Sequence, residues 1–224
     1  MTLSIAGRCA RTGQLGVAIS SSSPAVAARC AWARAGVGAV CTQNITDPRL
    51  GPALLDRMAE GAAALEAMQA VTAQEPLIAY RQLNAIDSQG RTATWSGDGT
   101  LGTYATAEAP DAVAAGNLLA DGEVPRAMIR AFAAGADDEL GDRLMAALAA
   151  GLQAGGEEGP VHSAGLLIVS DVPWPLTDLR VDWSTDPVGD LTALWRLWRP
   201  QAEAYRVRAL DPASAPSYGV PGDE

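Results

Sequence analysis

The chain contains no lysine, and all 16 of its basic residues are arginines. Catalysis by a lysine side chain, whether through a Schiff base or as a general base, is therefore excluded, and any fixed cation in a binding site must be arginine. The formal net charge is −10. Because binding to nucleic acid requires clustered basic residues that neutralise phosphates, this charge argues against a nucleic-acid partner.

Histidine and cysteine are also scarce. The chain has one histidine, His162, and three cysteines, Cys9, Cys30 and Cys41, which do not form a CxxC pair. A zinc site built from these residue types is not expected, and we expect neither a metal nor an organic cofactor. The cysteines are predicted to be buried free thiols.

Long apolar runs are absent as well. The alanine-rich stretch at residues 144–152 is too short to span a membrane, and no basic segment followed by an apolar core marks a signal peptide. Hydrophobic content of 48% and charged content of 19% are typical of a soluble globular protein. We therefore expect a cytoplasmic protein with no membrane partner, folded as one domain over residues 1–208 with a flexible proline-rich tail at residues 209–224.

Apolar runs and turn residues indicate an α+β domain. Two short apolar runs flank a turn at residues 11–14, which predicts an antiparallel hairpin, and a second hairpin is predicted over residues 80–96. Helical spacing and strand-like runs complete the order: helices near residues 54–75, 124–134 and 138–152, strands near 162–170 and 179–183, and a final helix from about residue 188. This order favours a layered domain in which helices cover packed sheets.

The N-terminal hairpin carries the strongest chemical signal. It places the four serines at residues 20–23 near Thr2. If Met1 is removed, Thr2 carries an α-amine and a hydroxyl on one residue, which makes it a nucleophile with its own base. An α-amine titrates at roughly 7.7–8.0, so a useful fraction is neutral at physiological pH. The alternative is that the hairpin is purely structural.

Several motifs give the chain a family resemblance. The most specific are WARAGVGAV at residues 32–40 and GNLL at residues 116–119, and shorter matches lie at residues 1–6, 12–18, 42–43, 47–49, 81–83, 163–164 and 179–182. Together they resemble the DUF1028 family over about residues 1–194. That family is placed in the Ntn-hydrolase fold, so the resemblance implies a four-layer αββα sandwich in which the first residue of the first strand, here Thr2, is the usual nucleophile.

Other polar residues are candidates for the same site. Ser21 and Ser22 are neighbours that would tune or replace the Thr2 hydroxyl, and Asn117, within the GNLL motif, would donate its amide to an oxyanion. The alternative role for Asn117 is a buried amide that satisfies loop backbone. Candidate substrate-binding residues, each with a structural alternative such as backbone capping or a surface ion pair, are Gln43, Asn44, Arg49 and His162.

Three functions remain open from the sequence. The first is an amidohydrolase that cleaves a small-molecule amide or related C–N bond with Thr2 as nucleophile. The second keeps the enzyme but uses Ser21 or Ser22, with Met1 retained. The third is a non-catalytic binding or assembly protein of the same fold. Apolar segments that contain tryptophan, at residues 174, 183, 195 and 198, favour a homo-oligomer.

Overall fold

The computed structural model describes residues 2–222, and Met1 and the last two residues of the tail lie outside the described part. The fold is mixed α+β, with two antiparallel sheets and helices packed against them. The strands are β1 (Thr2–Arg8), β2 (Leu15–Ser21), β3 (Ala31–Arg34), β4 (Gly38–Asn44), β5 (Arg81–Asp87), β6 (Thr92–Ser96), β7 (Ala105–Ala109), β8 (Ala112–Asn117), β9 (Ser163–Val169) and β10 (Thr177–Val181). The helices are α1 (Ala27–Cys30), α2 (Leu50–Ala59), α3 (Ala64–Gln74), α4 (Val124–Ala134), α5 (Leu140–Gln153), α6 (Pro187–Trp198) and α7 (Ala202–Leu210).

The larger sheet is built around the N-terminal hairpin. Its strand order is β10-β9-β2-β1-β8-β7, and the smaller sheet has the order β3-β4-β5-β6. The predicted hairpin is confirmed, because β1 and β2 pair antiparallel with Leu3 opposite Ser20. The second predicted hairpin is also confirmed as β5 and β6. Strand β8 pairs with the other edge of β1 and brings Asn117 opposite Thr2.

Buried residues form three core clusters that alternate with the sheets. One lies between the larger sheet and helices α4, α5 and α6, and it contains Leu3 and Ile5. The second lies between the two sheets and contains Ala6. The third lies between the smaller sheet and helices α2 and α3. Because successive strand residues point to opposite faces, Thr2 and Ser4 share the face of Ala6 that looks toward the smaller sheet.

Some elements differ from the sequence-based expectation. Strands β3 and β7, helix α7 and the short α1 were not predicted, and β10 begins at Thr177 rather than near residue 179. Helix α5 begins at Leu140 rather than near residue 138, and its N-cap is Glu139. In the tail, Tyr218 packs edge-on against Tyr205 of α7. Within residues 2–222, no helix is long and apolar enough to cross a membrane.

Candidate active site

The hydroxyls of Thr2 and Ser21 meet where β1 begins and β2 ends. The β1–β2 register continues from the pair Leu3–Ser20 to bring Thr2 opposite Ser21. The Oγ1 atom of Thr2 lies 3.4 Å from Oγ of Ser21, and the backbone N–H of Ser23 donates to the same Oγ at 3.1 Å. Both hydroxyl-bearing residues are almost fully buried. Strand pairing therefore brings together two hydroxyls that are 19 residues apart in sequence.

A small cavity opens at this end of the two strands. Its volume is about 240 Å³, and it is lined by Thr2, Ser21, Ser23, Val26, Arg29, Cys30, Asn44, Thr46 and Pro48. Among the described residues, Arg29 is the one charged side chain in this lining. Its Nη1 atom donates to the carbonyl oxygens of Pro24 at 2.8 Å and Ala25 at 3.1 Å, which anchors the guanidinium at the cavity wall. The cavity is polar, and its fixed charge is positive.

The backbone is strained on two sides of the cavity. Ala25 has a φ of +50° and Asn44 a φ of +72°, and both values lie in the left-handed region that residues other than glycine disfavour. The surroundings hold both residues: the Ala25 N–H donates to the carbonyl of Asp182, and Asn44 Nδ2 donates to the carbonyl of Tyr80 at 2.6 Å. Such strain persists only where neighbouring structure fixes it, and it is enriched at functional sites.

A buried hydrogen-bond network lies behind Thr2, between the two sheets. Ser4 Oγ donates to Gln43 Oε1 at 2.6 Å, and Gln43 Nε2 donates to Gln82 Oε1 at 2.8 Å. Asn117 Nδ2 donates to the same Gln82 oxygen at 3.1 Å, and Asn84 Nδ2 donates to Ser4 Oγ at 2.9 Å. All five residues are fully buried. The network fixes the amide side chains relative to the first strand.

Asn117 belongs to this network rather than to the cavity wall. It is fully buried and is not one of the cavity-lining residues. Its Oδ1 atom has no hydrogen-bond partner among residues 2–222. The following residue, Leu118, has a φ of +51°, so the chain turns sharply directly after Asn117. Thus the GNLL motif forms the end of β8 and its turn beside the start of β1.

The chain matches a family model described as a family of unknown function, DUF1028, over residues 2–191. The chain belongs to the DUF1028 family. A crystal structure of a DUF1028 protein, SPO2555 from Silicibacter pomeroyi, is similar, with 30% identity, a TM-score of 0.82, and coverage of 88% of this chain and 85% of that one. Anbu (ancestral beta-subunit) from Yersinia bercovieri has 11% identity and a TM-score of 0.41, with coverage of 91% and 97%. No curated protein matches this chain.

The structure of this DUF1028 protein brings only some of the sequence-predicted residues to the cavity. Thr2, Ser21 and Asn44 line it, whereas Gln43 and Asn117 lie in the buried network. Arg49 is directed to solvent, with 83% of its side chain exposed, and forms an ion pair with Asp47 at 2.6 Å.

His162 and Ser22 flank the cavity through their backbones. The His162 N–H donates to the carbonyl of Ser21 at 2.8 Å, but its ring stacks on Trp183 with centroids 4.4 Å apart, and its Nδ1 lies 3.1 Å from the carbonyl oxygen of Ser184. The half-buried Ser22 uses its N–H to bond Oε2 of Glu157 at 3.2 Å.

Two charged residues near Thr2 were missed by the sequence analysis. Arg29 follows a proline and a run of small residues, where an arginine gives no sign of a cavity. Glu157 lies in the polar loop after α5, yet its side chain is buried with the residue only 5% exposed. Burial raises the pKa of Glu157 to about 7. A glutamate next to two glycines and a second glutamate is typical of a solvated loop, so the local sequence does not indicate that Glu157 is buried.

Proposed function

We propose that this protein is an Ntn-type amidohydrolase that cleaves an amide or related C–N bond in a small molecule. The observation that carries the proposal is the Thr2 hydroxyl at the start of β1, which lines a polar cavity beside the Ser21 hydroxyl. The three core clusters that separate helices and sheets support the finer architecture, a four-layer αββα sandwich. In that architecture, the first residue of the first strand is suitably placed to act as nucleophile.

The mechanism uses one residue for two roles. When Thr2 is the first residue, its neutral α-amine accepts the hydroxyl proton as Oγ1 attacks the carbonyl carbon of the substrate. The tetrahedral intermediate collapses, the C–N bond breaks, and the leaving nitrogen takes the proton from the α-ammonium. Water, deprotonated by the same amine, then hydrolyses the threonyl ester and releases the acid. The reaction consumes one water and needs no redox partner.

The negative charge on the intermediate requires hydrogen-bond donors. We assign this role to Asn117 with a backbone N–H, because Asn117 lies opposite Thr2 in the ladder and only one of its two amide hydrogens is bonded to Gln82. Asn117 is fully buried and does not line the cavity, so this assignment requires that substrate binding opens a path to its side chain. Gln43 contributes indirectly, because it donates to the same Gln82 oxygen and so helps to fix the position of the group that accepts a hydrogen bond from Asn117. Removal of such a donor costs roughly 3–4 kcal/mol in transition-state stabilisation.

Cavity size and charge restrict the substrate. A volume of about 240 Å³ lies below the roughly 300–1,000 Å³ of pockets that hold drug-sized ligands, so the substrate is small. Arg29 provides a cation for a carboxylate or another anionic group on that substrate. Exposed apolar side chains, including Trp183 at 61%, further support a homo-oligomer, which light scattering would test.

A covalent probe combined with peptide mapping tests the nucleophile. A β-lactone acylates an activated hydroxyl, and tryptic cleavage at arginine separates Thr2, in the peptide of residues 2–8, from Ser21 and Ser22, in the peptide of residues 12–29. We expect labelling of the first peptide, loss of labelling in Thr2→Ala, and little change in thermal stability. Hydrolysis by the protein of any member of a panel of small amides should stop in the same variant.

Ser21 is the second candidate nucleophile, favoured by its position 3.4 Å from Thr2 and in the same cavity. In that case the label appears in the peptide of residues 12–29, and Ser21→Ala rather than Thr2→Ala abolishes turnover. A chain that still carries Met1 and is active would also select Ser21. If neither peptide is labelled and no amide is cleaved, the remaining function is non-catalytic binding of a small molecule.

A further inference from the structure

Glu157 lies at the end of the strand ladder where the nitrogen of Thr2 is directed. Thr2 lies opposite Ser21 on the antiparallel strand β2. The backbone nitrogen of Thr2 is on the N-terminal side of its Cα and is therefore directed toward Ser22, the residue that follows Ser21. The Ser22 N–H donates to Oε2 of Glu157 at 3.2 Å. Because Ser22 is 135 residues away from Glu157 in sequence, this contact is a product of the fold. The Glu157 carboxylate therefore lies close to the point at which β1 begins.

Among the described residues, the second oxygen of this carboxyl group has no hydrogen-bond donor. The Oε1 atom of Glu157 is buried and has no hydrogen-bond partner within residues 2–222. A buried carboxylate oxygen without a donor is costly, and a nearby cation or donor would relieve the cost. The cation of the cavity wall, Arg29, has Nη1 bonded to the carbonyl oxygens of Pro24 and Ala25.

We propose that Glu157 is a positioning residue whose Oε1 accepts a hydrogen bond from the α-ammonium of Thr2 and holds it beside the Thr2 hydroxyl. This role rests on the proposed function, since it requires Thr2 as the first residue. The ammonium supplies both the missing donor and the opposite charge. Its neutral form, once it has lost a proton, remains within reach of the Thr2 oxygen because both groups belong to one residue.

The absence of lysine makes the proposal directly measurable. In a chain that begins at Thr2, the α-amine is the only primary amine, so acetylation by acetic anhydride that survives hydroxylamine, which removes acetyl esters from hydroxyls and phenols, reports on it alone. Such a chain is prepared by cleavage of a fusion directly before Thr2 and checked by intact mass. The acetylation rate of the folded protein is then measured from about pH 6 to about pH 10, which brackets the ordinary α-amine pKa of roughly 7.7–8.0.

We expect the carboxylate to raise the pKa of the α-amine, whereas Arg29, the other charged group at the cavity, acts in the opposite direction. Glu157→Gln should therefore acetylate about tenfold faster than wild type near pH 7, and the two rates should converge near pH 10, where both amines are neutral. Glu158→Gln is the matched control, because it removes the same charge one residue away from an exposed side chain and should behave as wild type.

Two results overturn the proposal. The first is an α-amine that titrates identically in wild type and Glu157→Gln. The second is a Glu157→Gln protein that reacts faster by the same factor at every pH, because this shows a more accessible site and no change in charge interaction. If Glu157→Gln does not fold, the wild-type amine decides: a pKa above the ordinary range supports the role, and a pKa within or below it refutes the role. No substrate is used, so loss of the proposed activity and loss of this role are separate outcomes.

Discussion

Gln82 is the central residue of the buried network, and its replacement should destabilise the fold strongly. Its Oε1 accepts hydrogen bonds from Gln43 and Asn117, and its Nε2 donates to Ser96 Oγ at 3.1 Å and to the carbonyl of Gly116 at 3.0 Å. Gln82→Met keeps the approximate shape but removes all four bonds. It leaves two fully buried amide donors without their acceptor, and each costs about 1–3 kcal/mol, so we expect a loss of about 2–6 kcal/mol.

Urea unfolding at 25 °C measures this loss. For a domain of this size the slope is about 3 kcal/mol per molar urea, so the midpoint should fall by about 0.7–2 M without a change in slope. Gln69→Met provides the control, because Gln69 is exposed on α3 and its replacement should change stability by less than about 0.5 kcal/mol. Equal midpoints for the two variants would refute the claim that Gln82 satisfies these two buried amide donors.

A double-mutant cycle separates the cost of leaving a buried donor unpaired from the cost of losing the hydrogen bonds themselves. Gln43→Met should cost less in the Gln82→Met background than in wild type, because it removes a donor that has already lost its acceptor. Loss of the Ser4 bond to Gln43 occurs in both backgrounds and cancels. We expect a coupling of about 1–3 kcal/mol, and additive effects would contradict the assignment of the Gln43–Gln82 bond.

Three further predictions concern pH, thiol reactivity and packing. In the chain that keeps Met1, burial raises the pKa of Glu157 from 4.5 to about 7, so between those values the folded state binds a proton that the unfolded state does not. The free energy of unfolding should therefore fall as pH rises through this window, by up to about 3 kcal/mol, and urea titrations of Glu157→Gln should lack this slope. Burial also raises the pKa of Cys41 to about 12, so iodoacetamide should leave Cys41 unmodified in the native protein and modify it after unfolding. Alkylation of Cys41 in the native protein, detected by peptide mapping, would contradict its burial. A Cβ at Gly141 would lie 2.3 Å from the Trp195 ring. Gly141→Ala should therefore lower the free energy of unfolding by about 1–3 kcal/mol in thermal unfolding, although alanine has the higher helix propensity. Gly122→Ala is the control and should change stability little, because a Cβ at Gly122 would have no atom within 4 Å.

Elements with strong local patterns were predictable from the sequence. The N-terminal hairpin combines two apolar strands with a turn that contains glycine, and α4 shows helical spacing over the same residues that the structure assigns to it. Strands β3 and β7 were missed because each lies at the edge of its sheet. An edge strand that is only partly buried needs no continuous apolar run, and the sequence ATAEA of β7 therefore resembles a loop.

The candidate site was predictable only where short-range pairing builds it. Thr2 and Ser21 meet through a hairpin, so turn chemistry and strand length were sufficient to bring them together. Glu157 reaches Ser22 because its loop pairs with the turn after β8, through the Leu119–Glu157 bridge and the hydrogen bond from the Glu158 N–H to the Leu118 carbonyl, and this arrangement depends on the order of the whole sheet. Burial of this loop carboxyl depends on distant contacts, and single-sequence patterns do not encode such contacts locally.

Strand register also decides which serine can act with Thr2. Opposite residues in an antiparallel pair share a face, so Ser20, opposite Leu3, lies on the helix-covered face and donates to the carbonyl of Ser163 at 3.0 Å. Ser21, on the other face, reaches the cavity with Thr2. A shift of one residue would exchange these faces and move Thr2 away from the cavity. The four consecutive serines are therefore chemically distinct, because the turn at residues 11–14 fixes the register that separates them.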